Sequence, residues 1–484
     1  MKRYRLYIMA GWLMAWVLTL AGCSADALSE ETPDNGTGEA MSGESYINLR
    51  IVNNSQPQTR TTVPATEAEN AIYDGILVFF VGNGETVASL KSAVVIDQLI
   101  NNPGTTASVD VVQRTPLNLH PYPASGSGKI YVLALLNTTS TGFTVRNNML
   151  YLNSTSLSDY TRSQLQNSVI NSIGSLDRHV GLYMASKPKG TGSTPEQTAI
   201  QIYDPGAATP SAYLYDNPAD ITPSSGKLTL NVERAAAKVK VTNGISTNAL
   251  TSINLDGNSS RHPKVHNMTW AVNKYNTESY ALNGGSGHTF TPVKLAASGY
   301  SGASDFAVYQ QRSHQSGDAE YIAENTSTPE TEVIVEVQLK DGSFLMDDCY
   351  AFFPLDDGGF RENTFHDLYT SASQFVAYLK SGWGYQKGNY YLSDRSADDI
   401  FENMKLELAD NGAVTVTFTM DTFGYSSDEL TGLTNLKTFL EGHTRGFKNG
   451  KMYYTFSIPS IDRNNAYNLM LQTSSITAIG RPTP

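Results

Sequence analysis

The stretch Leu20-Ala21-Gly22-Cys23 carries the most definite chemistry in the chain. Small residues precede a cysteine, so a lipoprotein signal peptidase can reach the bond and leave the Cys23 thiol to carry lipid. Lys2, Arg3 and Arg5 form the charged start. "LYIMAGWLMAWVLTLAG" forms the apolar middle, a run of about 17 residues that is at the short limit for a membrane span and ends on the cysteine. Residues 1–22 therefore read as a lipoprotein signal peptide, with Cys23 as the lipidated first residue of the mature chain. A second reactive point lies in "YINLRIVNNSQPQTRTT", residues 46–62, where a well-patterned strand runs into a polar linker that any trypsin-like protease could cut at Arg60.

Other chemistry is not supported. His262 and His266 are four apart, but Pro263 breaks the helix that would bring them to one face, so no metal site is assigned. The acidic doublets Asp347-Asp348, Asp356-Asp357 and Asp398-Asp399 read as solvated turns rather than as a catalytic carboxylate pair or a calcium site. No phosphate loop, nucleophile elbow or zinc motif is present, and no enzyme activity or cofactor is expected. With Cys23 given to lipid, Cys349 is the only other cysteine, so no internal disulfide can form; its setting in "FLMDDCYAFFPL" predicts a buried, inert thiol. The aromatic cluster "WGYQKGNYY" (residues 383–391) could stack on sugar rings, although packing in a core is the more ordinary use.

The elements that must position these residues are mostly strands. About 460 residues follow the signal, enough for two or three domains. Only 17% of residues are charged, and short alternating runs recur between turn residues, the texture of an extracellular, mainly β protein with a few short helices. A net charge of −12 argues against nucleic acid and gives no attraction to anionic lipid, so membrane attachment falls to the lipid on Cys23. The segment "SADALSEETPDNGTGEAMSGE" has almost nothing apolar to bury and is expected to be a disordered tether.

Ile47, Leu49 and Ile51 alternate with Tyr46, Asn48 and Arg50, so one face of the first strand belongs in a core. "ILVFFVG" and "GKIYVLALLN" are near-continuous apolar strands. "DYTRSQLQNSVINSIG" spaces Leu165, Val169 and Ile173 four apart and predicts a helix from a cap at Asp159 to a stop at Gly174. In "GKLTLNVERAAAKVKVTNG", Leu228, Leu230 and Val232 fall on even numbers and Ala235, Ala237, Val239 and Val241 on odd ones. That switch requires a bulge or a change of sheet near Glu233-Arg234, where we place a domain boundary. Downstream, "TEVIVEVQL", "AVTVTFTM", "KMYYTFSI" and "YNLMLQTSSI" read as strands, and Leu433, Leu436 and Leu440 mark a short helix.

Several stretches together resemble the Bacteroidia-type fimbrillins, the type V pilins, and within them the Mfa-type fimbrial subunits. They are the lipoprotein signal ending at Cys23, the first strand with its following arginine, "ILVFFVG", "VERAAAKVKV", Trp270 in "NMTWAVNKY", "EYIAENTS", "GKMYYTFSI" and "DRNNAYNLMLQTSSITAIG", in the expected order over nearly the whole chain. The resemblance implies two transthyretin-like β-sandwich domains, at residues 61–233 and 234–484, behind a signal peptide (1–22) and a propeptide (23–60). It further implies export as an outer-membrane lipoprotein and cleavage on the cell surface by an arginine-specific protease. The first strand, with its core face of Ile47, Leu49 and Ile51, is then removed, and a strand from a neighbouring fimbrial subunit fills the groove. Arg60, before Thr61, matches the family's cleavage position. Arg50 lies inside the strand pattern and should be protected by pairing.

Stalk subunits of the family continue into a C-terminal donor strand, whereas this sequence reads to "RPTP"; the expectation is a tip or accessory subunit. Host or bacterial surface ligands are further expected partners. A surface glycan-binding lipoprotein is the alternative reading, and a lipid-anchored protein at the fimbrial base a third.

Overall fold

The computed structural model describes residues 45–53, 66–96, 99, 108–115, 128–176, 180–187, 199–207, 213–215, 217–245, 248–295, 305–353, 366–383 and 387–484. The chain is mainly β. In its first part, nine strands form one sheet in the order Leu214–Tyr215, Ser45–Asn53, Leu228–Arg234, Met184–Ser186, Lys129–Leu136, Gly75–Gly82 and Ser89–Val95. Ile200–Tyr203 pairs with Lys129–Leu136, and Ser108–Thr115 with Ser45–Asn53.

The two near-continuous apolar strands lie where both faces are covered. Leu77 and Phe79 of Gly75–Gly82, with Val132 and Ala134 of Lys129–Leu136, enter one core cluster. Ile76, Val78, Phe80, Leu133 and Leu135 enter another on the opposite face. That explains why their sequences do not alternate. The first cluster also contains Ile47, Leu49 and Ile51 together with Leu228, Leu230 and Val232. Strands well separated in the sheet order thus share one interior, so the sheet curls round it.

The parity switch is a change of sheet. Leu228–Arg234 belongs to the nine-stranded sheet, Ala235 is a buried bend, and Ala236–Asn243 enters a three-stranded sheet between Ala319–Ala323 and Ala466–Leu471. That sheet and a second one, built on Lys264–Asn273, Thr331–Asp341 and Lys451–Ile458, close over a common core holding Val239, Val241, Trp270, Val335, Val337 and Met452. A separate layer gathers Phe375, Leu379, Phe401, Leu436 and Leu440 from helices, among them Ser427–His443, whose Leu433, Leu436 and Leu440 stripe faces inward as the spacing predicts.

The helix expected from Asp159 to Gly174 does not form as such. Thr161, not Asp159, caps a five-residue helix, Arg162–Gln166, through a capping box with Gln164, and Val169–Ile170 then pairs as a strand with Ser279–Tyr280. Asp159 has positive φ and pairs with Lys91 instead. The β-branched Val169 and Ile170 find ladder partners from a distant segment, and that outweighs a weak helical preference.

The crossing from one sheet to the next is polar and buried. Glu69, from the short Glu67–Asn70 helix, takes the Arg234 guanidinium at 2.7 Å, the Lys238 ammonium at 2.6 Å and the Tyr321 hydroxyl at 2.5 Å. Beside it, Glu233 accepts a hydrogen bond from Asn283 at 2.6 Å, and Arg463 holds Glu324 at 2.5 Å. Burial pushes the Glu69 carboxyl up, but the hydrogen bonds from Lys238, Tyr321 and Arg234 outweigh it and hold the group below its usual value.

Removing that carboxylate leaves two cations facing a low-dielectric seam. Glu69→Gln is therefore expected to cost about 3 kcal/mol, read by chemical denaturation at neutral pH. Because the folded chain binds this proton less readily than the unfolded one, the Glu69 contribution is complete above its ordinary pKa of 4.5 and is lost as pH falls through the lower folded value. The acid limb of the stability profile should accordingly be shallower in Glu69→Gln than in the parent chain.

Candidate functional site

The Ser45–Asn53 strand is the feature around which candidate functional residues gather. Its alternation places Ile47, Leu49 and Ile51 in the core, each with no exposed surface. On one edge it runs antiparallel to Ser108–Thr115, from Ser45 opposite Thr115 to Val52 opposite Ser108. On the other it meets two strands in turn: Tyr46 and Ile47 lie antiparallel to Tyr215 and Leu214, and Leu49 to Asn53 lie parallel to Leu228 to Val232. The strand is thus interior to the sheet and bonded along both sides. Among the described residues it is also the only sheet partner of Ser108–Thr115.

The outward face is less uniform than the sequence suggests. Arg50 is exposed, with its guanidinium 3.8 Å from Asp110, a carboxylate that also receives Lys227 at 2.6 Å. Its backbone lies between Asp110 and Thr229, so the peptide bond at Arg50 sits inside two ladders and cannot enter a protease cleft without unfolding. Asn48, by contrast, is buried, and its side-chain nitrogen donates to the Gly226 carbonyl at 3.1 Å. Asn53 closes the strand by donating to the Asn70 side-chain oxygen at 3.2 Å. Asn70 lies just beyond the linker, in the same short helix as Glu69.

Asn48, Asn53 and Glu69 escaped the sequence reading. The available signal was that asparagine is depleted in strand interiors, so two of them bracketing an apolar alternation ask for a specific partner.

Of the other residues singled out in the sequence, Cys23, Arg60 and Thr61 lie outside the described residues, as does the Asp356-Asp357 doublet. Cys349 is buried, its thiol donates to the Asp347 carbonyl at 3.0 Å, and burial, helped by Asp348 and Asp347, pushes its pKa up. A thiol in that state is a poor nucleophile. His262 bonds the Ile253 carbonyl at 2.8 Å, while His266 is exposed on Lys264–Asn273. Among the described residues no group of three or more His, Cys, Asp or Glu is placed to hold a metal. Asp348 accepts from the Asn449 backbone at 3.0 Å, and Asp399 caps the helix Ala397–Phe401 through Ser396. Trp383 is buried, edge-on to Phe401 at a ring separation of 5.2 Å, with its indole nitrogen donating to the Arg395 carbonyl; it belongs to the helical layer's core and offers no face to a sugar.

No protein-family model matches the chain, and no curated protein does. Solved structures similar to it include a fimbrial assembly protein from Parabacteroides distasonis, at 10% identity over 62% of this chain and 83% of that one, with a TM-score of 0.32. The tip fimbrial protein Mfa3 from Porphyromonas gingivalis, with C-terminal truncation, is similar at 10% identity over 66% of this chain and 84% of that one, with a TM-score of 0.28. A further one, from Parabacteroides distasonis and described as a candidate cell adhesion protein, shows 14% identity over 62% of this chain and 76% of that one, with a TM-score of 0.33.

Proposed function

We propose that this chain is a structural subunit of a surface fimbria, exported as a lipoprotein on Cys23 and matured by cleavage between Arg60 and Thr61. The cut frees the Ser45–Asn53 strand, and a strand from a neighbouring subunit fills the slot. Adhesion is the biological output of such a fibre.

The observation that carries this reading is the position of the first strand: its three apolar side chains are wholly buried, yet it joins the rest of the chain through a polar segment containing an arginine. Uncovering Ile47, Leu49 and Ile51 costs roughly 1.5–3 kcal/mol each, about 5–9 kcal/mol together, comparable with the net stability of a typical domain. Two unpaired backbone edges add to that cost. An emptied slot is therefore a strong acceptor for an extended chain of the right alternation, which is strand addition used to join subunits. Arg60, in the polar stretch of sequence that follows the strand, supplies the cut.

Treatment of the purified precursor with an arginine-specific protease should yield one discrete product beginning at Thr61, which then self-associates or takes up a strand peptide; Arg60→Ala should abolish both. A product that assembles while retaining residues 45–53 would contradict the reading. In the uncut precursor, Leu49→Ala should lower stability by about 2–5 kcal/mol in chemical denaturation, because the strand is core and not ornament.

A further inference from the structure

Asn48 occupies a particular place in the slot. The edge that the first strand shares with the rest of the sheet changes partner there: Tyr46 and Ile47 face the antiparallel Leu214–Tyr215 strand, and pairing with the parallel Leu228–Arg234 strand begins at Leu49. Neither ladder includes residue 48. Its backbone N–H reaches the Tyr213 carbonyl at 3.3 Å, and its side-chain carboxamide donates to the Gly226 carbonyl at 3.1 Å. The carboxamide thus fills the break between two ladders of opposite sense, at a position that is outward-facing yet buried. The only other side chain bonding that carbonyl among the described contacts is the Tyr215 hydroxyl, at a longer 3.4 Å.

We infer that the vacated slot selects its next occupant through this break. It takes an extended segment of another polypeptide that runs in the same direction as Ser45–Asn53 and carries the pattern apolar, Asn, apolar, any residue, apolar. This rests on the strand-exchange reading above and adds to it the chemistry of the partner.

Three constraints converge on that pattern. Direction is fixed because, from Leu49 onward, one edge of the slot bonds in parallel and the other antiparallel, and a reversed strand would offer each edge the wrong spacing of N–H and C=O groups there. Register is fixed because a shift of one residue turns the three apolar side chains away from the core. The carboxamide is required because Asn48 is buried and donates the shorter of the two side-chain hydrogen bonds to the Gly226 carbonyl, a bond that an apolar side chain at the break would remove.

The fourth position is permissive. Arg50 is exposed, and its partner Asp110 already holds Lys227. The same pattern recurs in this chain as Tyr467-Asn468-Leu469-Met470-Leu471, in the Ala466–Leu471 strand. That strand lies parallel to Ala236–Asn243, as Ser45–Asn53 lies parallel to Leu228–Arg234, and methionine stands at its fourth position.

The test uses full-length precursor, cut by an arginine-specific protease and freed of residues 24–60, with fluorescent synthetic peptides as probes. The peptide of residues 45–53 should bind. Its Asn48→Leu version should bind about tenfold more weakly in spite of being more apolar. The Arg50→Ala version should stay within about threefold of the parent, and a peptide of reversed residue order should not compete. Equal or tighter binding by Asn48→Leu, or competition by the reversed peptide, overturns the inference while leaving strand exchange standing. Failure of the parent peptide to bind overturns both. A second arm needs no cleavage: in the intact chain, Asn48→Leu and Asn48→Ala should each lower the melting temperature. A leucine variant that melts higher than the parent removes the carboxamide's role whatever the peptides do.

Discussion

The first part of this chain depends on one condition: the space between Ser108–Thr115 and Leu228–Arg234 must hold a strand. A missing edge strand would expose one row of backbone groups. A missing strand here opens two rows at once and uncovers the interior round which the sheet curls, because Ile47, Leu49 and Ile51 share that interior with Phe79, Val132 and Leu230. Burial and backbone pairing therefore act on the same nine residues. That coincidence makes the segment a suitable joint between molecules, since whatever occupies the slot receives both stabilising effects.

The sides of the linker are anchored differently. Before it, the strand ends at Asn53. Beyond it, Glu69 is locked by Arg234, Lys238 and Tyr321 into the seam where the chain passes from the first sheet to the next. A cut between these anchors separates the strand from the body without touching the charge cluster. One link between the two sides is the modest Asn53 to Asn70 hydrogen bond, which exchange would break at small cost. The sequence "VERAAAKVKV" carries this seam, with Glu233 and Arg234 as its buried polar members.

Much of this was legible from residue order. Alternation in residues 46–51 marked a strand with one face buried, near-continuous apolar runs marked two further strands, and the shift from even to odd positions after Val232 marked a bulge or a change of sheet. These patterns are local consequences of how a pleated backbone presents side chains, so they survive folding. The stretch from Asp159 to Gly174 was misread because its spacing fits a helix, while the segment that claims Val169 and Ile170 lies more than a hundred residues away. The buried roles of Asn48, Asn53 and Glu69 were hidden for the same reason: each is defined by a partner from another part of the chain, and a single polar residue in a run does not announce it. Trp383 shows the converse, an aromatic side chain that could serve a ligand and instead fills a core.

Hydrogen exchange of the Ser108–Thr115 amides tests the central claim most directly, because their only sheet partner among the described residues is the first strand. With residues 24–60 removed and the chain kept dilute, these amides should lose protection while those of Gly75–Gly82 keep it, and protection should return when the slot is refilled on assembly. Unchanged protection of Ser108–Thr115 after removal would mean that the fold does not need the strand, and the account would fail.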